Sequence, residues 1–232
     1  MTAIISYFDK EKRIVIVGCD SMCYSSHGKN IPCDKGYILF NRYFIATYGA
    51  DLLSGIIEIL KNREGYGNFQ PPANLKELYE AIFQIYKIAV PAYRERASEE
   101  FKERKKQVAA IIYDEATNQF DYISYGHPFM KEIELSYTFR DNDEGIQKFG
   151  ILETDDPCED IDIQNFLERP KEVLNDQFIQ LDDHLEMITE KNLPKERIKV
   201  GELGTYYEYR NGNRILESRF THIDQMIPII EY

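Results

Sequence analysis

Short apolar runs dominate the first fifty residues. Ile4-Ile5-Ser6-Tyr7-Phe8 and Ile14-Val15-Ile16-Val17 predict two strands joined by a turn at Asp9-Lys10-Glu11-Lys12. A polar, glycine-containing stretch follows from Ser21 to Pro32. Tyr37-Ile38-Leu39-Phe40 and Tyr43-Phe44-Ile45-Ala46 then predict two more strands meeting at Asn41-Arg42. Runs that are apolar almost throughout suit strands buried on both faces, since a half-exposed strand alternates apolar with polar positions.

The period then changes. Leu52, Leu53, Ile56, Ile57 and Leu60 recur at helical spacing, and the Asp51 carboxylate near their start complements the positive end of a helix. Gly65, Gly67, Pro71 and Pro72 mark a loop. A second helix carries Leu75, Leu78, Ile82, Ile85 and Ile88 on one face, with its pattern interrupted at Pro91 and a charged helix continuing to about Lys106. Strands return at 108–113 and 120–123 around a turn at Asn118. The stretch 126–170 is irregular and acidic, with Asp155-Asp156 and Glu159-Asp160, and predicts only short strands and loops. Val173 to Lys191 reads as an amphipathic helix. Thr205–Tyr209 and Ile215–Phe220 read as a hairpin turning at Asn211-Gly212, a pair suited to the positive φ angles of a tight turn. Strands, helices, strands, helix, strands: this order fits two sheets stacked face to face with helices on both outer sides. A single domain spanning 1–232 is expected, with a divergent acidic insertion at about 126–170.

Composition narrows the function classes. Of 232 residues, 43% are hydrophobic and 29% charged, as in an ordinary globular domain. No apolar run approaches the roughly 20 residues that span a bilayer. Met1–Arg13 lacks the basic, apolar and small-residue segments of a signal peptide, so no membrane partner and a cytoplasmic location are expected. A net charge of −12 argues against a nucleic-acid partner, because phosphate binding needs a basic face. The one basic run, Arg94 to Lys106, is interleaved with Glu95, Glu99, Glu100 and Glu103 and reads as a solvated helix face. Cys19, Cys23, Cys33 and Cys158 are sparse and are expected to be reduced thiols. Cys19-x₃-Cys23 with Cys33 lacks the second pair of a zinc site, and His27, His127, His184 and His222 are scattered. Neither a metal nor a cofactor is expected.

The candidate chemistry lies at the front end. Thr2-Ala3-Ile4-Ile5-Ser6, followed by Ile14-Val15-Ile16-Val17-Gly18-Cys19-Asp20-Ser21, resembles the opening of the proteasome β subunits and their bacterial ring-protease relatives. These are N-terminal-nucleophile (Ntn) hydrolases of the threonine peptidase type. Lys35 stands fourteen residues before Gly49, with Tyr37–Phe40, Asn41 and Tyr43–Ala46 between, in the same order and at the same interval as that family's lysine, hairpin and glycine. The resemblance implies an α+β fold, a four-layer αββα sandwich of two antiparallel sheets covered by helices. It further implies Thr2 as nucleophile once Met1 is removed, Asp20 and Lys35 as its charged neighbours, Gly49 as a backbone donor to an oxyanion, and a homo-oligomer, in that family a ring. Two departures stand out. Tyr125 of Ser124-Tyr125-Gly126 occupies the place of a family serine, leaving Tyr125 or Ser124 as a substitute proton relay. A later Asp-x-x-Ser-Gly-Gly element is missing, and the region Glu196 to Gly204 stands in its place, with Glu196 and Glu202 as imperfect stand-ins.

The chemistry is coherent on its own terms. A threonine hydroxyl is a poor nucleophile until a base takes its proton. The α-amine of the same residue can serve, because a pKa of about 7.7 to 8 leaves a useful neutral fraction at pH 7. An ammonium nearby disfavours protonation of that amine and stabilises a developing alkoxide. The expected function is an N-terminal threonine amidohydrolase, a peptidase acting on a peptide or amide through an ester on Thr2. Cys33, Thr47 and Asp51 are the expected substrate-binding residues by their positions in the matching hairpin, and the Asp51 carboxylate suits basic side chains. Two other readings stay open: a transpeptidase or protein ligase that passes the same ester to an amine, and a non-catalytic assembly or binding protein, which the Tyr125 and Ser-Gly-Gly departures favour.

Overall fold

The computed structural model describes residues 3–24, 30–49, 52–64, 70–96, 108–126, 128, 136–150, 161–192 and 200–218. The predicted opening hairpin is β1 (Ala3–Asp9) and β2 (Ile14–Asp20), and the second is β5 (Gly36–Leu39) and β6 (Tyr43–Gly49). Between them, the stretch that reads only as polar forms a small antiparallel ribbon, β3 (Met22–Tyr24) with β4 (Asn30–Pro32). Helices α1 (Leu52–Glu64) and α2 (Leu75–Arg96) follow, then β7 (Val108–Asp114) and β8 (Gln119–Ser124). The acidic stretch contributes β9 (Thr138–Asp141) and β10 (Gly145–Gly150). Two helices, α3 (Ile163–Glu168) and α4 (Pro170–Asn192), precede the closing hairpin of β11 (Leu203–Arg210) and β12 (Asn213–Ser218).

The strands make two antiparallel five-stranded sheets, ordered β10-β1-β2-β11-β12 and β5-β6-β7-β8-β9. Alternation along each strand then assigns side chains to cores. Ile4, Phe8, Val15, Val17 and Cys19 of the first sheet meet Phe44, Ala46, Ala109 and Ile111 of the second. Phe44 stacks on Tyr207 with ring centroids 4.0 Å apart, locking the two sheets together. The opposite face of the second sheet packs Tyr43, Ile45, Ala110 and Ile112 against Leu53, Ile57, Leu78 and Ile82 of α1 and α2. The opposite face of the first packs Ala3, Ile5 and Ile16 against Phe166, Leu174 and Phe178 of α3 and α4. Burial on both faces explains why these strands read as continuous apolar runs. The architecture is an α+β sandwich.

Three sequence readings are corrected. Pro91 lies inside one continuous helix, α2, rather than interrupting it; it sits at an exposed position, where the missing backbone hydrogen bond leaves a carbonyl to water. The continuation of a charged helix over 97–106 lies outside the described residues. Cys33 is disulfide-bonded rather than a reduced thiol, whereas Cys19 is a free thiol, buried, with its pKa pushed up by that burial. Finally, 126–170, read as short strands and loops only, also contains helix α3; β9 and β10 are the short strands expected, β9 beside β8 and β10 beside β1 with Ala3 opposite Gly150. Among the described residues no helix is long and apolar enough to cross a membrane.

Candidate functional site

The path of the chain brings Asp20 to Lys35. Asp20 is the last residue of β2 in the first sheet, and Lys35 directly precedes β5 in the second. Between them the chain leaves one sheet at Ser21, runs through the β3–β4 ribbon and returns. The Cys33 N–H donates to the Ser21 carbonyl at 2.9 Å, so the ribbon's two ends close on each other. The Lys35 ammonium therefore reaches back to Asp20 Oδ1 and to the Met22 carbonyl. Both side chains are sealed from water, at 1% and 0% exposure.

A buried ion pair survives only when its remaining hydrogen-bonding capacity is also met. Here Asp20 Oδ1 accepts the Ala3 N–H at 2.8 Å and Oδ2 accepts the Met22 N–H at 3.1 Å. The carboxylate thus receives one ammonium and two amides. Burial lowers the Lys35 pKa from its ordinary value, and the charge and hydrogen bond of Asp20 pull it back up. Chemically, the arrangement is a lysine amine and a carboxylate in contact in a low-dielectric setting, at the amide end of the first strand.

The other anticipated residues separate. The Thr47 N–H donates to the Lys35 carbonyl at 2.8 Å, so its backbone lies beside the pair. Its hydroxyl, however, shares a hydrogen bond with Ser54 of α1 at 3.1 Å. Gly49 ends β6 with φ of 90°, a conformation that favours glycine. Cys33 adjoins the pair through its backbone, and its sulfur is in a disulfide, so it offers no thiol to a substrate. Thr2, Asp51 and Glu196 lie outside the described residues. Tyr125 is buried in the core beneath α2, where its hydroxyl donates to the Tyr79 carbonyl at 3.4 Å. That core consists of apolar side chains from the helix side of the second sheet, so Tyr125 is a packing residue rather than the relay. Ser124 Oγ accepts the Gly126 N–H at 3.2 Å. Glu202 adjoins Ser21 through its carbonyl, which accepts the Ser21 N–H at 3.0 Å. Among the described residues no group of three or more His, Cys, Asp or Glu side chains is placed to hold a metal ion.

Three participants carry no side-chain signature in the sequence: the Met22 carbonyl, the Gly204 backbone and buried Thr205, whose Oγ1 accepts the Lys35 N–H at 3.4 Å. The one available signal was Gly204, a glycine at the head of an apolar strand run, which marks a bulge or a close backbone approach.

No family model matches the chain, and no curated protein matches it. Solved structures do. Anbu (ancestral beta-subunit) from Yersinia bercovieri aligns with a TM-score of 0.57 over 94% of this chain and 88% of that one, at 9% identity. Anbu from Hyphomicrobium sp. strain MC1 aligns with a TM-score of 0.50 over 94% and 88%, at 10% identity. The fold is Anbu-like. A third structure, titled Helical Assembly of the Anbu Complex from Pseudomonas aeruginosa, aligns with a TM-score of 0.52 over 94% and 87%, at 10% identity. These findings correct the family assignment drawn from the front-end resemblance. The motif residues are short and widely spaced, and neither a family model nor a curated relative supports an Ntn-hydrolase assignment. The likeness that stands is to Anbu, and at these identities it is a likeness of fold.

Proposed function

We propose that this chain is a self-assembling protein that builds a homo-oligomer of the Anbu type. The observation that carries this reading is the Anbu-like fold over 94% of the chain, together with the helical assembly named for the Pseudomonas aeruginosa relative. An interface that repeats head to tail gives a ring when its rotation closes and a helical filament when it does not, so copies of one subunit suffice for either. Negative-stain imaging and light scattering of the full chain test it. Particles of many subunits are the expected result, and a monomer at micromolar concentration would overturn the reading.

One observation favours a second, catalytic reading on top of assembly. The Ala3 N–H, the amide formed with residue 2, binds the same Asp20 oxygen that holds the Lys35 ammonium. In this reading Met1 is removed and the Thr2 hydroxyl attacks an amide carbonyl while its proton passes to its own α-amine. The oxyanion is met by the Gly49 N–H and the Lys35 charge. Collapse expels the leaving amine, which takes that proton, and leaves an ester on Thr2. Water completes hydrolysis and a second amine completes ligation. Thr47 and Asp51 would flank the substrate, a peptide or amide, in the cytoplasm. Intact mass after exposure to a β-lactone tests this chemistry. One adduct per chain, absent in Thr2→Ala, supports it; a retained Met1 or an unlabelled chain leaves assembly as the whole function.

A further inference from the structure

Gly204 is an extra residue in β11. Leu203 pairs with Asp20 and Thr205 with Cys19, so the ladder steps over the glycine between them, a bulge beside the pair. A Cβ on Gly204 would fall 2.6 Å from the Ser21 Cα, 2.7 Å from its Cβ and 3.0 Å from its N. Two of those atoms are backbone, so no rotation of a side chain relieves the clash. Gly201 closes on the same serine: a Cβ there would collide with Ser21 Oγ and stand 3.0 Å from Met22 Cγ.

Ser21 is where β2 turns out of its sheet. It lies between Asp20, whose carboxylate takes the Lys35 ammonium, and Met22, whose carbonyl takes it as well. Thr205, next to the bulge, reaches the other partner. Its Oγ1 accepts the Lys35 N–H, and a Cβ on Gly36 would meet its Cγ2 at 2.6 Å. One irregularity in one strand thus touches the chain on both sides of the ion pair.

We propose that the Gly204 bulge, with Thr205 beside it, is the positioning element that sets the Asp20–Lys35 pair. The proposal deepens the threonine-amidohydrolase reading and rests on it for its catalytic consequence. Without the close approach at Gly204, Ser21 is displaced and carries Asp20 and Met22 with it. The ammonium then loses part of the contact that offsets its burial, and the lysine gives up its proton more easily.

The test follows Lys35 directly. Full-length protein carrying carbon-13 at lysine Cε is titrated by NMR, with the Lys35 signal assigned by its loss in Lys35→Met. Gly204→Ala is expected to lower the Lys35 midpoint by about one pH unit. Thr205→Val, which keeps the shape and removes the acceptor, shifts it less in the same direction, and Thr205→Ser restores the parent value. Gly18→Ala is the control. Its Cβ would lie 2.7 Å from both terminal carbons of Leu174 and 3.1 Å from its Cγ, so the crowding falls on a side chain of α4 rather than on the Ser21 backbone; there Lys35 titrates as in the parent. An unmoved midpoint in Gly204→Ala and Thr205→Val, or an equal shift in Gly18→Ala, overturns the proposal. Should Gly204→Ala fail to fold, the Thr205→Val and Thr205→Ser pair decides it: a shift that serine reverses supports it, no shift overturns it. None of these readings needs turnover, so a parent chain that fails to label at Thr2 overturns the amidohydrolase reading alone.

Discussion

Asp20 and Asp121, both at 0% exposure, have different surroundings. Asp20 ends a strand of the first sheet and receives an ammonium and two backbone amides. Asp121 lies in β8 of the second sheet and receives neutral donors only: the Tyr79 hydroxyl at 2.5 Å and the Gln119 amide at 3.1 and 3.0 Å. Its cross-strand neighbour is Asp141, a second carboxylate. Burial raises the Asp121 pKa and Asp141 raises it further, while the donors from Tyr79 and Gln119 work against both. Burial alone therefore does not decide a carboxylate's surroundings. A cation held in place beside the start of a strand distinguishes the Asp20 region; the Asp121 region is a polar joint between β8, β9 and α2.

The largest expected difference comes from removing one partner at each place. Lys35→Met leaves Asp20 as an uncompensated buried charge and is expected to cost about 3 to 5 kcal/mol in urea unfolding. A loss under about 1 kcal/mol would mean the pair is not sealed from water. Tyr79→Phe removes one neutral donor from Asp121 and is expected to cost less, about 1 to 2 kcal/mol, because the Gln119 amide still serves both oxygens. Equal losses for the two variants would erase the distinction.

The smallest effect is one of pH, and its sign follows from linkage. A carboxyl whose folded pKa is raised lends stability that is complete below its unfolded value near 3.8 and is lost as pH rises through the folded value. Urea unfolding at pH 4 and pH 7 should therefore show the parent losing stability relative to Asp121→Asn as pH rises. A difference that is flat across this range, or that runs the other way, would show that Asp121 is not raised.

Much of the fold was legible because doubly buried strands and amphipathic helices write strong patterns: the runs at Ile14–Val17 and Tyr43–Ala46 and the spacing of Leu52 to Leu60 all lie in the elements they predict. The β3–β4 ribbon was not, since its strands are three residues long, too short to show a period, and belong to neither five-stranded sheet. In the acidic stretch short strands were expected but their bounds were not, because β9 is exposed and β10 half-exposed, so neither writes a continuous apolar run. At the site, Asp20 and Lys35 were expected only through the resemblance to the proteasome β subunits, and their side chains meet. Met22 and Gly204 act through backbone atoms, which any residue type supplies or only glycine permits, so no side-chain pattern announces them. The Cys33 disulfide was hidden because sparse cysteines do not reveal their pairing.

Assembly is the central claim, and native mass spectrometry of the full chain tests it most directly. The account predicts intact particles containing many copies of the chain. If the second reading also holds, the subunits ejected from them are lighter than the encoded sequence by one methionine. Single chains at micromolar concentration, with no larger species, would contradict it.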